Sequence, residues 1–476
     1  MIGVVNISTV NIILTVIIAV ILFAMIIGIH EFGHFITAKK FGVKGNEFAL
    51  GMGPKLISKQ GKETLYSLRL IPIGGYCAME GEDEQSDNPR AFTNAKLWKR
   101  MIIIVAGAVM NFLVGFLLMF IVLVQQPSFE STIISSFSPN AFTASSGLQT
   151  GDKIVGINGY PIWNTKDLQF AIQTLQCQSV DPDSLAVYRE DCSSLSVKTF
   201  VYLINNDKEL YGAELTDEEY KELYGILDES VVPIREAETK EEAYDAAKKS
   251  IDALYAYKDL AKTEKYTYPE IEKRDERYRY TADVTVERSG EKLELEGVQF
   301  YTEYKNEEAA KEKNVKETVV RYDFSVEPLE RNFGTVIGQT VSQTASLAKT
   351  VWQSLIMLVQ GRFSFTDLSG PVGITKAVSV VASEGLKVNF MSAVNNIIFI
   401  MALITVNLGV VNLLPFPALD GGRFVFLLIE AVIRRPLPRK VEYIVNGVGL
   451  ALLLIFIAVI SVKDVWQLIT GTFPSM

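Results

Sequence analysis

Histidine is almost missing from this chain: its 476 residues include two. Cysteine is nearly as scarce, at three. Three thiols cannot build a disulfide scaffold or a cysteine-rich zinc site. No basic stripe offsets the net charge of -9. Nothing is therefore available to neutralise a phosphate backbone, and nucleic acid is excluded as a partner. Charged residues make up 21% of the chain against 49% hydrophobic ones. That balance belongs to a protein part membrane-embedded and part water-soluble, and the length suits two to four domains.

What the chain has in quantity is long apolar runs. Four are long enough to cross a bilayer, which takes about 20 residues; they cover roughly 10–29, 102–124, 391–414 and 444–462. The first has no basic start, exceeds the apolar core of a secretory signal and lacks a small-residue cleavage site, so it reads as a retained span. Lysine and arginine set the orientation. Lys39, Lys40 and Lys44 follow the first run, Lys96, Lys99 and Arg100 precede the second, and Arg434, Arg435, Arg439 and Lys440 separate the third from the fourth. A four-span path puts all three clusters on one side, which is then cytoplasmic. Both termini and the segment from about 126 to 390 fall on the extracytoplasmic side.

That segment is not uniform. Residues 141–172 contain SGLQTGDKIVGINGYPI followed by an amphipathic helical pattern. Residues 283–295 form two alternating runs joined at Ser289-Gly290, a hairpin signature. Between them, from about 205 to 280, lies an acidic stretch rich in tyrosine and lysine. Its two capping boxes, Thr216 with Glu219 and Thr239 with Glu242, predict an inserted helical subdomain. Farther on, Val341, Ala345, Ala348, Trp352, Leu355 and Val359 recur at helical spacing. This amphipathic helix lies either flat at the outer interface or packed on the soluble domain. Of the cysteines, Cys77 falls on the cytoplasmic side as a free thiol. Cys177 and Cys192 share the other side, where a bridge and two free thiols are both open readings.

The two histidines sit in His30-Glu31-Phe32-Gly33-His34, one helical turn apart on one face. Neutral imidazoles so placed suit zinc, which in catalytic sites takes three protein ligands plus water. Glu31 stands beside them as a general base. A pair of satisfied surface histidines is the plainer reading, but ionisable groups ending an uncharged apolar run are functional by default. The third ligand must be something other than histidine. Asp420 is the candidate, close to the same end of the third run as the histidines are of the first, so that both lie at similar depth. Taken alone, Asp420-Gly421-Gly422 would read as a turn. Pro415 and Pro417 forbid regular helix just before it, and irregular backbone at membrane depth is tolerated only where it lines a protein cavity.

Together these residues resemble the site-2 protease family of intramembrane zinc metalloproteases, in its bacterial PDZ-containing, regulator of sigma-factor branch. The resemblance also takes in Gly51-Met52-Gly53-Pro54, Ile71-Pro72-Ile73-Gly74-Gly75-Tyr76, Asn412 to Gly421, and Leu368-Ser369-Gly370-Pro371-Val372-Gly373. It implies Zn2+ held by His30, His34 and Asp420, with Glu31 as base. It implies a re-entrant β-hairpin over about 47–76, carrying Gly74 and Gly75, that adds a strand to an unwinding substrate. Asn412 would hold that extended substrate, beside Pro415 and Pro417. The usual Gly-Pro-x-x-Asn of the second span stands here as Gly107-Ala108-Val109-Met110-Asn111.

The expected fold class is thus a multi-span α-helical membrane protein with four transmembrane helices and a re-entrant β-hairpin. An extracytoplasmic PDZ-like α+β domain carries the helical insertion. Residues 1–125 hold the first two spans, 126–330 the PDZ-like domain, 331–390 an amphipathic interfacial region and 391–476 the last two spans. The expected activity is hydrolysis of peptide bonds within transmembrane segments of single-span membrane proteins, such as anti-sigma factors or remnant signal peptides. The partners are those substrates, the lipid bilayer, and a peptide or protein ligand of the PDZ-like domain. Two other readings compete. A catalytically idle PDZ scaffold has no need of Glu31 between two ligands. A zinc transporter needs a path of intramembrane polar sites where this chain has one cluster.

Overall fold

The computed structural model describes residues 7–82, 86–138, 141–180, 184–262, 277–304, 318–362 and 368–470. The chain divides into two compact units, Met1–Pro127 with Arg331–Met476, and Ser128–Glu330.

The first unit begins with α1, Ile7–Lys40, an apolar helix closed by Lys39 and Lys40 at its negative end. Strands β1, Gly45–Gln60, and β2, Leu65–Met79, follow, and then α2, Leu97–Leu123. After the second unit come α9, Phe333–Val359; α10, Pro371–Val388; α11, Phe390–Asn412; α12, Asp420–Ile433; and α13, Arg439–Thr470. Among the described residues three helices are long and apolar enough to cross a membrane: α2, α11 and residues Lys440–Thr470 of α13. They match the second to fourth predicted runs. The first run lies on α1, and its side chains as far as residue 20 are outside the described residues.

Helix α2 packs against α1, α9, α11 and α12. Small residues let it approach closely: a Cβ on Gly115 would sit 2.4 Å from Val406, and one on Gly33 of α1 only 2.5 Å from the Ala106 carbonyl oxygen. Ion pairs tie α12 at both ends, Arg100 to Glu430 at 2.9 Å and Arg423 to Glu82.

The β-region is more than the expected hairpin. Glu47–Leu50 pairs on one side with Leu65–Leu68 and on the other with Gly75–Ala78, while Ile57–Gln60 pairs with the far side of Leu65–Leu68. Residues 75–78 are thereby an edge of this small sheet. Apolar side chains at its far end, Leu56, Ile57 and Leu70, are exposed. On α9 the predicted apolar stripe is exposed at Val341, Trp352 and Val359, and the buried positions are Val336, Thr340, Thr344, Ser346 and Met357. The helix contacts its neighbours through a largely polar face and leaves the apolar one outward.

In the second unit, β3, Phe129–Phe137, is followed by α3, Phe142–Ser145; β4, Lys153–Ile157; β5, Tyr160–Pro161; α4, Thr165–Gln173; and β6, Cys177–Val180. The helices α5, Leu185–Asn205; α6, Asp207–Tyr211; α7, Asp217–Glu236; and α8, Lys240–Ala256 come next. Strands β7, Arg277–Arg288; β8, Glu291–Tyr304; β9, Thr318–Arg321; and β10, Phe324–Leu329 complete it. The sheet runs β10-β3-β4-β7-β8-β9, with β6 also on β7. Its core gathers Ile134, Ile154, Leu168, Ile172, Val284 and Val298. The β7–β8 turn is at Ser289-Gly290, where both residues take positive φ.

Both capping boxes form, at Thr216 with Glu219 and at Thr239 with Glu242. The helical part, however, begins at Leu185 instead of near 205, because α5 shares one core with α7 and α8. Val180 pairs with Arg277 across β6 and β7. The chain therefore leaves the sheet and re-enters it at adjacent points, so the excursion costs the sheet little closure entropy. Cys192 is a free thiol buried in that helical core. Helix α5 points Cys192 inward among Leu195, Phe200 and their neighbours; the side chain of Cys177, the other half of the bridge weighed from sequence, lies outside the described residues. Cys77 is free, as expected.

Candidate metal centre

Local sequence explains how Asp420 is presented. After α11 ends at Asn412, Leu413 to Leu419 fold back over the first turn of α12. Only glycine fits beneath: a Cβ on Gly421 would meet the Leu414 carbonyl oxygen at 2.1 Å, and one on Gly422 that of Phe416 at 2.3 Å. The loop is pinned by α13, where Asn446 accepts the Ala418 N–H at 3.1 Å and Gly449 seats Pro417. Asp420 is the first residue of α12 and not a turn. A carboxylate there also benefits from the positive end of the helix.

His30, His34 and Asp420 come together. His30 Nε2 lies 3.1 Å from Asp420 Oδ2, His34 Nε2 lies 3.2 Å from the same oxygen, and the two Nε2 atoms are 3.2 Å apart. Both histidines are buried, and among the described residues no N–H is aligned to donate to the buried Asp420 Oδ2. His34 Nδ1 is 2.8 Å from the Ile103 carbonyl oxygen, which can only accept. The ring proton therefore belongs on Nδ1, and the Nε2 lone pair faces the carboxylate. Electron-rich atoms converging in this way call for a cation. For tetrahedral zinc at ordinary Zn–N distances the ligand atoms would be ~3.3 Å apart, and the observed triangle fits.

Glu31 projects toward the sheet edge, where its Oε2 accepts the Cys77 N–H at 3.0 Å. Gly75 lies against it: a Cβ there would be 3.6 Å from Glu31 Cγ and 2.9 Å from the Ala49 carbonyl oxygen. Gly74, at φ +94, abuts Met52 instead. Pro415 and Pro417 lie in the loop just described. Asn412 Nδ2 is 3.2 Å from His30 Nε2 and 3.4 Å from Nδ1, which brings it onto the histidine.

Helix α2 supplies what sequence reading left without a role. The Ile103 carbonyl meets His34, Gly107 lies under both rings, and Asn111 Nδ2 is 3.2 Å from His30 Nδ1. These positions are spaced i, i+4, i+8, one stripe of a helix. An asparagine within an apolar run was the available signal.

Comparison with known proteins agrees over nearly the full length. The model of "Peptidase family M50" matches residues 18–456. The chain is 31% identical to a Clostridium acetobutylicum protein, covering 94% of this chain and 97% of the relative. It is 29% identical to the zinc metalloprotease RasP of Bacillus licheniformis, over 95% and 99% of the two chains. It is 28% identical to the regulator of sigma-W protease RasP of Bacillus subtilis, also over 95% and 99%. With its histidine pair and Asp420 converging on one point, and a family match that spans both histidines and the aspartate, this membrane protein belongs to peptidase family M50, the site-2 proteases.

Proposed function

We propose that this chain is an intramembrane zinc endopeptidase that cleaves within the transmembrane segments of single-span membrane proteins. The observation that carries the reading is the N, N, O triangle of His30, His34 and Asp420 with Glu31 against a sheet edge. His30, His34 and Asp420 would hold zinc. When bound, zinc supplies Lewis-acid activation of water and of a peptide carbonyl near neutral pH. Glu31 takes the proton from the attacking water and passes it to the leaving amine.

A transmembrane helix must become extended before its peptide bonds can be reached. The edge at residues 75–78 offers backbone partners to such a strand. Gly74 and Gly75 leave room for it, Asn412 steadies it by hydrogen bonding, and Pro415 and Pro417 keep the cavity wall irregular. Four spans, with α1 as the first, place both termini and Ser128–Glu330 outside and the site near the cytoplasmic face. The exposed stripe of α9 suits the outer membrane interface. The sheet of the second unit is read as PDZ-like, taking a peptide or protein ligand. The sigma-W protease name of one relative points to anti-sigma factors as substrates, with remnant signal peptides of the same chemistry.

Comparing the membrane proteomes of cells carrying the native chain and Glu31→Gln tests this. Single-span fragments should accumulate in the variant, whose turnover drops about 10²–10⁴-fold with zinc retained. Identical fragment patterns in the two strains would overturn the reading.

A further inference from the structure

The geometry points to Asn111 as a positioning residue for His30: its side-chain oxygen accepts the His30 Nδ1–H and so fixes the ring with Nε2 facing the metal. This rests on the zinc reading above. Asn111 is fully buried in an apolar helix, where an amide is costly unless its hydrogen bonds are made. Among the described residues its side chain is within hydrogen-bond distance of His30 and of nothing else, and its Oδ1 has no partner. The amide's buried polarity is therefore directed at the histidine.

Two ring nitrogens decide which amide atom faces His30. Coordination through Nε2 requires the proton on Nδ1, and Nδ1–H needs an acceptor. Asn412 lies nearer the other ring nitrogen, its Nδ2 being 3.2 Å from Nε2 and 3.4 Å from Nδ1. Asn111 stands closer, at 3.2 Å, and its amide oxygen and nitrogen exchange places on a half-turn of the side chain. With Oδ1 turned toward the ring, His30 gains what His34 already has from the Ile103 carbonyl at 2.8 Å. Helix α2 thus orients both ligands from one stripe, two turns apart. The His34 partner is backbone and the same for any residue at 103; the His30 partner is a side chain and can be removed. Partners of this kind fix ring orientation and raise ligand basicity.

The test uses the purified full chain in detergent, as native, Asn111→Leu and Asn111→Asp, with His34→Ala as the ligand-loss control. Zinc affinity is measured by chelator competition and the Co2+ form by visible absorption. Asn111→Leu should weaken zinc binding about 10–100-fold and shift the Co2+ bands. Asn111→Asp should stay near native in both, because its carboxylate accepts the same hydrogen. A purely structural role predicts the reverse order, since a buried carboxylate disturbs apolar packing more than leucine does. Native affinity and bands in Asn111→Leu, or Asn111→Asp binding no better than Asn111→Leu, would overturn the assignment. A native chain that binds zinc no better than His34→Ala overturns the metal reading itself and the assignment with it.

Discussion

Gly107 shows how little space surrounds the histidine pair. A Cβ at that position would lie 2.3 Å from His34 Nε2 and 2.6 Å from His30 Cε1. The His34 ring cannot retreat while the Ile103 carbonyl holds its Nδ1. Gly107→Ala should therefore reduce zinc affinity at least about tenfold, as loss of a ligand-orienting contact does; metal content after dialysis against a weak chelator reads this directly. Asp420→Ala should lower zinc content as much as His34→Ala, because each removes one of the three ligands proposed above. Unchanged stoichiometry in Asp420→Ala would point to a different oxygen donor. Away from the site, burial pushes the Cys192 thiol up to about 11. It should resist alkylation at pH 7 in the folded chain and react fully on unfolding without reductant. A Cys192 peptide recovered unmodified and linked to Cys177 would contradict the free thiol.

Elements hold these residues through short-range devices. Thr216 accepts the Glu219 N–H, and Glu219 accepts the Thr216 N–H at 2.8 Å and pairs with Lys258. Thr216→Ala should cost the start of α7 about 1 kcal/mol, seen as faster hydrogen exchange in its first turn with the sheet of the same unit unchanged. Glu219 is held down to about 2, with the Lys258 partner the larger cause and the capping contacts next. A carboxylate lowered from 4.5 stabilises the fold above that pH and loses the effect as pH falls toward 2. Opening of α7 should therefore grow over that acid range in the native chain and less so in Glu219→Gln, followed by a spectroscopic probe on α7. The loop before α12 depends in the same local way on Gly421 and Gly422. Alanine at Gly421 would press on the Leu413 and Leu414 carbonyls and displace Asp420.

At the scale of the molecule, the proposed four-span arrangement has a direct check. Reporters fused after Lys40 and after Arg435 should read cytoplasmic, and one near Gly212 extracytoplasmic; the opposite pattern would overturn the orientation and the shared depth of the ligands. Within the second unit, Arg288 reaches the wholly buried Asp152 with two hydrogen bonds, at 2.6 and 2.7 Å. Arg288→Ala leaves that carboxylate without its cation, with the Gln149 N–H still donating at 2.8 Å, and should destabilise the unit by about 2–3 kcal/mol, less than for a fully buried pair because the arginine is partly exposed.

Some of this was decided by sequence alone. The histidine pair, the apolar runs, the capping boxes and the Ser289-Gly290 turn depend on residues close in the chain, so spacing suffices to read them. The meeting of His30 and His34 with Asp420 is different, since it brings together residues far apart in sequence; depth in the membrane suggested it, and packing of α1, α2 and α12 achieves it. The sequence marked Gly107 and Asn111 but gave the stripe of α2 no role, because whether Asn111 faces lipid, solvent or histidine depends on how two helices are rotated against each other. It also suggested a single hairpin where the chain makes a sheet with an edge beside Glu31, since which segments pair is a matter of long-range register. The start of the helical part at Leu185 was hidden for a related reason. Ser184 caps α5 by accepting the Val187 N–H, but a lone serine without the reciprocal glutamate of α7 and α8 is a weak signal, and the core it shares with those helices is what assigns it. Local patterns fix what each element is; side-chain rotation and contact between distant elements fix which atoms meet, and in this protein that meeting makes the site.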